Sequence, residues 1–420
     1  MKSNAMNTLY QSKYYPWFLV AMLFTIYTAS TVSTNSLPIF YPEIRKDFGW
    51  THAQVSEPAS YYFIFIVFVV PFVGFLLARF SPKLLMAIGF SIAFLATMAI
   101  TYVRDFSQYF TVFFFLSVAI SFSGLIPSMV IISNWFEKNR GLAVGLFLLG
   151  SSVGGIIFPE FSRYLMKISG NNWRYSLIGV SILAATLSFL PWFFIKVKPD
   201  NVEKNNHNSS ANQNDSNKAD IVEIAKTPTF WLILFFAAAL WFCGFGVVNH
   251  LQLYLTDNGF DFNKAIQIRD LLFLLSIVGK VSFGYLSDRF NKPNLLIFSA
   301  ICLILGIYLL KMIPESHDYA YIFALVYGFG YSGAFTMIQL TVAANYKGAT
   351  FSKVLGFVSA FDAIGGFLGV RLLGHYRTAD GNYDFGIILL LGMAVAALMM
   401  SVGLRYWALK PKKVNRNTDK

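Results

Sequence analysis

The chain has 420 residues, of which 56% are hydrophobic, 18% aromatic and only 13% charged, with a mean hydropathy of +0.56 and a formal net charge of +12. So apolar a chain of this length cannot be a soluble globular domain, and it is expected to live in a bilayer. The excess of positive charge would suit a polyanionic partner only if it clustered away from lipid.

A helix that crosses the hydrocarbon needs roughly 20 residues at about 1.5 Å of rise each. Apolar runs of that size occupy 15–40, 56–78, 84–103, 109–133, 141–166, 174–196, 229–255, 264–286, 294–313, 319–342, 353–374 and 383–408. They are continuously apolar instead of alternating. Helices are therefore favoured over a membrane barrel, since every backbone donor must be satisfied inside lipid. The expected fold class is an all-α membrane protein with twelve transmembrane helices.

Run 1 is too long for the apolar core of a cleavable signal, so it is read as a retained helix. Within it, Thr28 to Ser36 is a polar interruption that includes Thr31, Ser33, Thr34 and Asn35 and is followed by Pro38. Such a segment at membrane depth either lines a cavity or bends the helix. Run 2 closes with Gly74-Phe75-Leu76-Leu77-Ala78-Arg79-Phe80, and run 8 closes with Gly284-Tyr285-Leu286-Ser287-Asp288-Arg289-Phe290. These turns say nearly the same thing half a chain apart, the mark of a duplicated bundle. A second match pairs Gly145 to Gly155 in run 5, with Ser151 inside it, to Gly356 to Gly366 in run 11, with Asp362 at the corresponding position.

The tract between runs 6 and 7 centres on a stretch rich in Asn and Ser, which offers too few apolar groups to offset the entropy of ordering. The expected organisation is an N-terminal six-helix bundle over 1–197, a flexible cytoplasmic linker over 198–226, and a C-terminal six-helix bundle with a short basic tail over 227–420. His207 in the linker is read as solvated. With both termini inside, roughly 20 basic and 8 acidic residues fall on the inner side against roughly 11 and 12 outside. That bias accounts for the charge, places Lys410-Pro411-Lys412-Lys413 against anionic head groups, and removes the need for nucleic acid.

A charge inside hydrocarbon costs several kcal/mol, about 3 on insertion scales, unless it is paired or hydrated. Asp362 in run 11 and Lys280 in run 8 are the leading candidates on that ground. Asp362 can take up a proton, pair with Lys280, or face a cationic group of a solute. Lys280 can receive a carboxylate or snorkel to the cytoplasmic end. Run 7 holds Asn249-His250-Leu251-Gln252, where His250 is either a proton relay or a hydrogen-bonded packing element. Ser151, Trp241, Asn249, Tyr327, Tyr331 and Gln339 join Thr34 and Asn35 as cavity candidates, while Glu160, Arg163 and Arg371 are read as exposed at outer helix ends. Gly74, Arg79, Gly284, Asp288 and Arg289 form a candidate cytoplasmic gate. An Asp-Arg turn after a closely packed glycine can bridge to a neighbouring helix, and with Ala78 where the first acid would stand the latch should be lopsided.

Cys243 and Cys302 are the chain's two cysteines and both fall in predicted spans, so neither a disulfide framework nor a metal site is expected. P-loop, HExxH and Gly-x-Ser-x-Gly signatures are missing, which argues against a pump driven by ATP and against a membrane hydrolase. Neither enzyme activity nor a cofactor is expected.

On the paired glycine-to-Asp-Arg turns, the chain resembles the major facilitator superfamily over nearly its whole length. Within it, the chain is most similar to the monocarboxylate and oxalate-formate porter branch. The matching segments are Asp47-Phe48-Gly49-Trp50, Asn134-Trp135-Phe136-Glu137-Lys138-Asn139-Arg140-Gly141-Leu142-Ala143-Val144-Gly145 and His250-Leu251-Gln252-Leu253-Tyr254. The resemblance implies two six-helix halves that alternate access to a central cavity. It also implies a carrier of a small carboxylate, coupled to protons or to a counter-solute. The branch's anion-binding arginine in helix 8 corresponds to Lys280, which keeps the charge but loses the bidentate fork. The oxalate porters' lysine in helix 11 corresponds to Asp362, a reversal that argues against a dianion and leaves monocarboxylate or zwitterionic cargo. The rival readings are an efflux carrier for a siderophore, metabolite or drug, and a membrane sensor that transports nothing. A monomer in a bacterial inner membrane, with both termini cytoplasmic, completes the expectation.

Overall fold

The computed structural model describes residues 10, 12–198, 221–380 and 382–409. Among the described residues 12 helices are long and apolar enough to cross a membrane. In chain order they are α1 Tyr15–Phe48, α2 Glu57–Leu76, α3 Pro82–Ile100, α4 Phe106–Trp135, α5 Arg140–Ile168, α6 Trp173–Trp192, α7 Pro228–Asp257, α8 Asn263–Ser287, α9 Lys292–Met312, α10 Asp318–Asn345, α11 Gly348–Arg377 and α12 Asp384–Trp407. Their number and order are those expected from the apolar runs.

Local chemistry sets the ends. Thr51 and Gln54 make a reciprocal capping box at the outer start of the helix that contains α2. Asp105, Asn172 and Asp261 each accept a backbone N–H at the first turn of α4, α6 and α8. These side chains satisfy donors that a helix start leaves without partners. Proline stands in the first turn of α3, α7 and α9, where its missing N–H costs nothing.

Two spans are interrupted. In α1 the regular helix stops at Ser30 and resumes at Val32, with the Thr31 N–H bonded to the Thr28 carbonyl. Beyond the break α1 runs on through Pro38 and Pro42 to Phe48, so the expected polar interruption is real but the helix continues past 40. In α4, read from the sequence as one run, the backbone turns at Gly124 with φ −91° and ψ −123°. Ser117, Ser121, Ser123 and Ser128 return their hydroxyls to carbonyls of the same span, which keeps the kinked backbone satisfied in lipid.

In the N-terminal half α1 packs on α5 and α6 while α3 and α2 pack on α4; in the C-terminal half α7 packs on α11 and α12 and α10 on α8 and α9. The halves meet along two seams, α2 against α11 and α5 against α8. The centre of the expected linker, 199–220 with His207, lies outside the described residues, as does the tail Lys410-Pro411-Lys412-Lys413. The final part of that linker is not extended chain: Ile221–Ala225 form a short helix with Ile224 buried.

Candidate functional site

The inner ends of both seams are closed by glycines. A Cβ at Gly145 would stand 2.5 Å from the Lys280 carbonyl oxygen, one at Gly284 would stand 2.6 Å from the Gly141 carbonyl oxygen, and one at Gly74 would stand 2.6 Å from the Ser352 carbonyl oxygen. Backbone meets backbone there because no side chain intervenes.

The Asp288 carboxylate crosses the α5–α8 seam and accepts from the N–H groups of Gly141 at 2.8 Å and Leu142 at 3.0 Å. It caps the start of α5 from the other half of the protein, where the helix dipole favours an anion. Asn139, in the left-handed conformation at φ 56°, turns the chain so that those N–H groups face it. Arg140 fastens the same corner by donating to the carbonyls of Ser133, Phe136 and Ala343. Arg289 takes no part, lying over the Tyr285 ring at 4.3 Å.

On the α2–α11 seam Ala78 offers no acid, and the one side-chain hydrogen bond described across it runs from Ser352 Oγ to the Gly74 carbonyl at 3.1 Å. A cavity of about 1130 Å³ opens at the inner face between the two seams, lined by Ala78, Arg79 and Lys347 on one side and by Arg140, Gly141 and Asp288 on the other. The inner latch is thus asymmetric in the sense that the two sequence copies imply.

Deeper in, Lys280 is 4% exposed and its Nζ donates across the seam to Ser151 Oγ at 2.8 Å and Ser152 Oγ at 2.6 Å. Because side chains lean toward the start of their helix, and α8 runs inward, the ammonium is aimed away from the cytoplasm. Lys280 therefore does not snorkel to the inner face. Ser152 also meets Ser276 Oγ at 3.2 Å, and the Tyr27 hydroxyl adjoins Ser151.

Asp362 is 8% exposed, and no ion pair joins it to Lys280. Their surroundings connect through aromatic rings: the Lys280 ammonium lies 5.8 Å from the Phe335 ring, Phe335 lies 5.3 Å from Trp241, and Trp241 borders the Asp362 carboxyl. Trp241 stacks on Phe245 at 4.6 Å and meets Tyr331 edge-on at 6.1 Å. In this arrangement both amide atoms of Gln339 are buried without a hydrogen-bond partner, while Trp241 Nε1 and Asp362 Oδ1 lie buried side by side, the indole N–H turned to the carboxyl without closing a full hydrogen bond. Buried polar atoms are nearly always paired, and each orphan costs about 1–3 kcal/mol. Trp241 on α7, Gln339 on α10 and Asp362 on α11 thus carry polar atoms that the described contacts leave unsatisfied or only partly satisfied.

His250 does not belong to this cluster. Its Nε2 donates to the Val370 carbonyl at 3.0 Å and its Nδ1 accepts from the Tyr383 hydroxyl at 3.3 Å, so both ring nitrogens are committed within the C-terminal half. Burial pushes the Tyr383 hydroxyl up to about 12, against the pull of Arg377, so it stays a donor throughout the physiological range. These two bonds are what the packing reading of His250 expects.

Thr34, Asn35 and Asn249 lie further out at exposed or half-exposed positions, and Thr34 and Asn249 bond to the Thr31 and Phe245 carbonyls of their own helices. Tyr327 is wholly buried, donating to the Cys243 carbonyl at 2.8 Å. Glu160 and Arg163 are ion-paired with each other and exposed, as is Arg371. Sequence reasoning passed over Arg269 and Asp270 inside run 8. The signal was available, since two adjacent charges interrupt an apolar run, but they sit close enough to its end to be taken for interface residues.

The family model for the Major Facilitator Superfamily matches residues 22–370 and, again, 268–418. The agnestins efflux protein of Paecilomyces divaricatus is 26% identical over 404 residues, covering 91% of this chain and 87% of its own. Monocarboxylate transporter 2 of Meriones unguiculatus is 21% identical over 431 residues, covering 96% and 89%. Among solved structures, the E. coli fucose:proton symporter superposes with a TM-score of 0.72 at 14% identity, over 92% of this chain and 98% of that one.

Proposed function

The chain belongs to the major facilitator superfamily, and from that premise we propose that this multi-pass membrane transporter carries a small monocarboxylate or zwitterion by alternating access, coupled to protons or to a counter-solute. The observation that carries the proposal is the set of buried polar atoms on Asp362, Trp241 and Gln339 left unsatisfied or only partly satisfied, set against a buried ammonium whose described hydrogen bonds go to two serine hydroxyls. A neutral hydroxyl is a weaker partner for an ammonium than a carboxylate is, so a solute carboxylate reaching Lys280 displaces Ser151 and Ser152 at a net gain. The Trp241 and Phe335 rings give a short apolar body its wall. Asp362 then receives either the proton that drives accumulation or the ammonium of a zwitterion.

Because Lys280 reaches across from α8 to α5, loading it also changes a tie between the halves. Binding and rocking are thereby linked through one side chain. The two moving bodies are 1–197 and 227–420, joined through 198–226, in a monomer with both termini on the cytoplasmic side of an inner or plasma membrane. Relatives among monocarboxylate transporters support the substrate class.

Asp362→Asn tests the coupling. The variant should lose uphill accumulation in vesicles while keeping part of its exchange, and normal uphill uptake would reject the role. A thermal-shift screen of purified protein against monocarboxylates, amino acids and siderophores, repeated with Lys280→Ala, tests the recognition. Stabilisation by a carboxylate that vanishes in Lys280→Ala is the expected result.

The aromatic wall and the similarity to an efflux protein favour one second reading, export of a bulkier amphipathic metabolite through the same site. Comparing metabolites inside and outside deletion and overexpressing cells separates the two directions.

A further inference from the structure

The α5–α8 seam has a regular antiparallel register: Gly141 faces Asp288, Gly145 faces Gly284, and Ser152 faces Ser276. Each step outward along α5 is answered by one step back along α8. Beyond Ser152 and Ser276 no hydrogen bond crosses the seam among the described residues, and Gly155 has nothing within 4 Å of where its Cβ would be. The described hydrogen bonds across the seam all lie between its inner end and Ser152.

Extending the register outward by about two turns brings Glu160 on α5 level with Arg269 on α8. Glu160 lies as far along α5 from Gly141 as Arg269 lies along α8 from Asp288, roughly 28 Å of rise in each case. Arg269 also shares a helix face with Ser276 and Lys280, since seven and eleven residues each nearly complete whole turns. Both groups are held in short-range arrangements on their own helices. Glu160 pairs with Arg163 one turn along, and Arg269 meets its neighbour Asp270 at 3.6 Å while its Nε is buried without a partner.

We propose that Glu160 and Arg269 form the outer gate of the transport cycle: when the inner seam opens and the outer ends of α5 and α8 come together, the Glu160 carboxylate turns from Arg163 to bridge to Arg269. This pair does for the outward side what Asp288 and the start of α5 do for the inward side. The orphaned Nε of Arg269 gains its partner only in the state opposite to the one described. The unpaired donor is thus a built-in bias toward closing that mouth. The inference rests on the alternating-access reading above.

Two measurements on full-length protein in proteoliposomes test it. In a background lacking Cys243 and Cys302, the pair Glu160→Cys and Arg269→Cys is oxidised with copper-phenanthroline, with and without Gly145→Ala, whose added methyl forces the inner seam apart. The disulfide yield should rise severalfold with Gly145→Ala. A yield that stays at background in both would overturn the gate while leaving the transporter reading intact. The second measurement keeps the charges: Glu160→Arg and Arg269→Glu should each slow solute exchange by about tenfold, and the double exchange should recover most of that loss. A double variant no better than the worse single variant also overturns the gate. Absence of carboxylate or metabolite exchange by the unaltered protein would instead count against the proposed function.

Discussion

Replacing Gly145 by alanine should tip the conformational balance of the whole protein. The new methyl would sit 2.5 Å from the carbonyl oxygen of Lys280, an atom fixed in the backbone of α8 that cannot swing away as a side chain does. Overpacking of this kind costs about 1–3 kcal/mol when the surroundings cannot yield. Here they can yield in one way, by parting the inner seam, so the cost falls on one conformation and not on folding. Taking about 2 kcal/mol, the ratio of the inner-closed to the inner-open state falls roughly thirtyfold. Gly155→Ala is the matched control on the same helix, because its methyl meets nothing within 4 Å in the inner-closed state. The assay is alkylation of single cysteines placed in the inner and outer mouths, in membranes. Gly145→Ala should raise inner labelling and lower outer labelling, with Gly155→Ala at the level of the unaltered protein. Equal labelling in all three proteins would refute the claim that this contact sets the balance.

Asp288→Asn should shift labelling in the same direction but less, roughly tenfold, because the amide still accepts one hydrogen bond while losing the charge that favours the start of α5. His250→Phe should lower thermal stability by about 1–3 kcal/mol, through the abandoned Val370 carbonyl and Tyr383 hydroxyl, and should leave the proton stoichiometry of transport unchanged. Gln339→Leu should leave the empty protein as stable as before or more so, and should weaken solute binding, since both amide atoms lack partners until a guest arrives. A thermal melt with and without solute separates these two effects.

The fold was legible because lipid imposes a coarse rule: apolar runs of sufficient length must be helices, and their count and order followed directly. The duplicated turns went further, since with alanine at position 78 only the second turn has an acid, Asp288, to send across its seam. Interior charges were legible for the same reason, because Asp362 and Lys280 have few explanations at that depth. What the sequence could not show is which partner each would take. Lys280 and Asp362 looked like a possible pair, yet the lysine bonds to serines of α5 and the acid borders Trp241, because register across a seam depends on helix packing that no local pattern records. The surroundings of His250 were hidden for a related reason: its titratable ring is as good a strut as a relay, and its bonds to Val370 and Tyr383 join segments far apart in the chain. Arg269 and Glu160 stand on separate helices far apart in sequence, so their shared height emerges only from the contacts of Gly141 with Asp288 and Ser152 with Ser276.

The alanine at position 78 has a mechanical consequence. The two jambs of this door are held by different means, one by the charge of the Asp288 carboxylate, the other by the Ser352 hydroxyl, by Lys353 over the Phe75 ring at 5.4 Å and by close backbone contact at Gly74. The large basic vestibule spans both jambs, since Arg79 and Lys347 line it together with Arg140, Asp288 and Lys292. Cargo released to the cytoplasm should therefore leave through a mouth ringed by Arg79, Arg140, Lys292 and Lys347, along a route that an anion would find attractive from its first step.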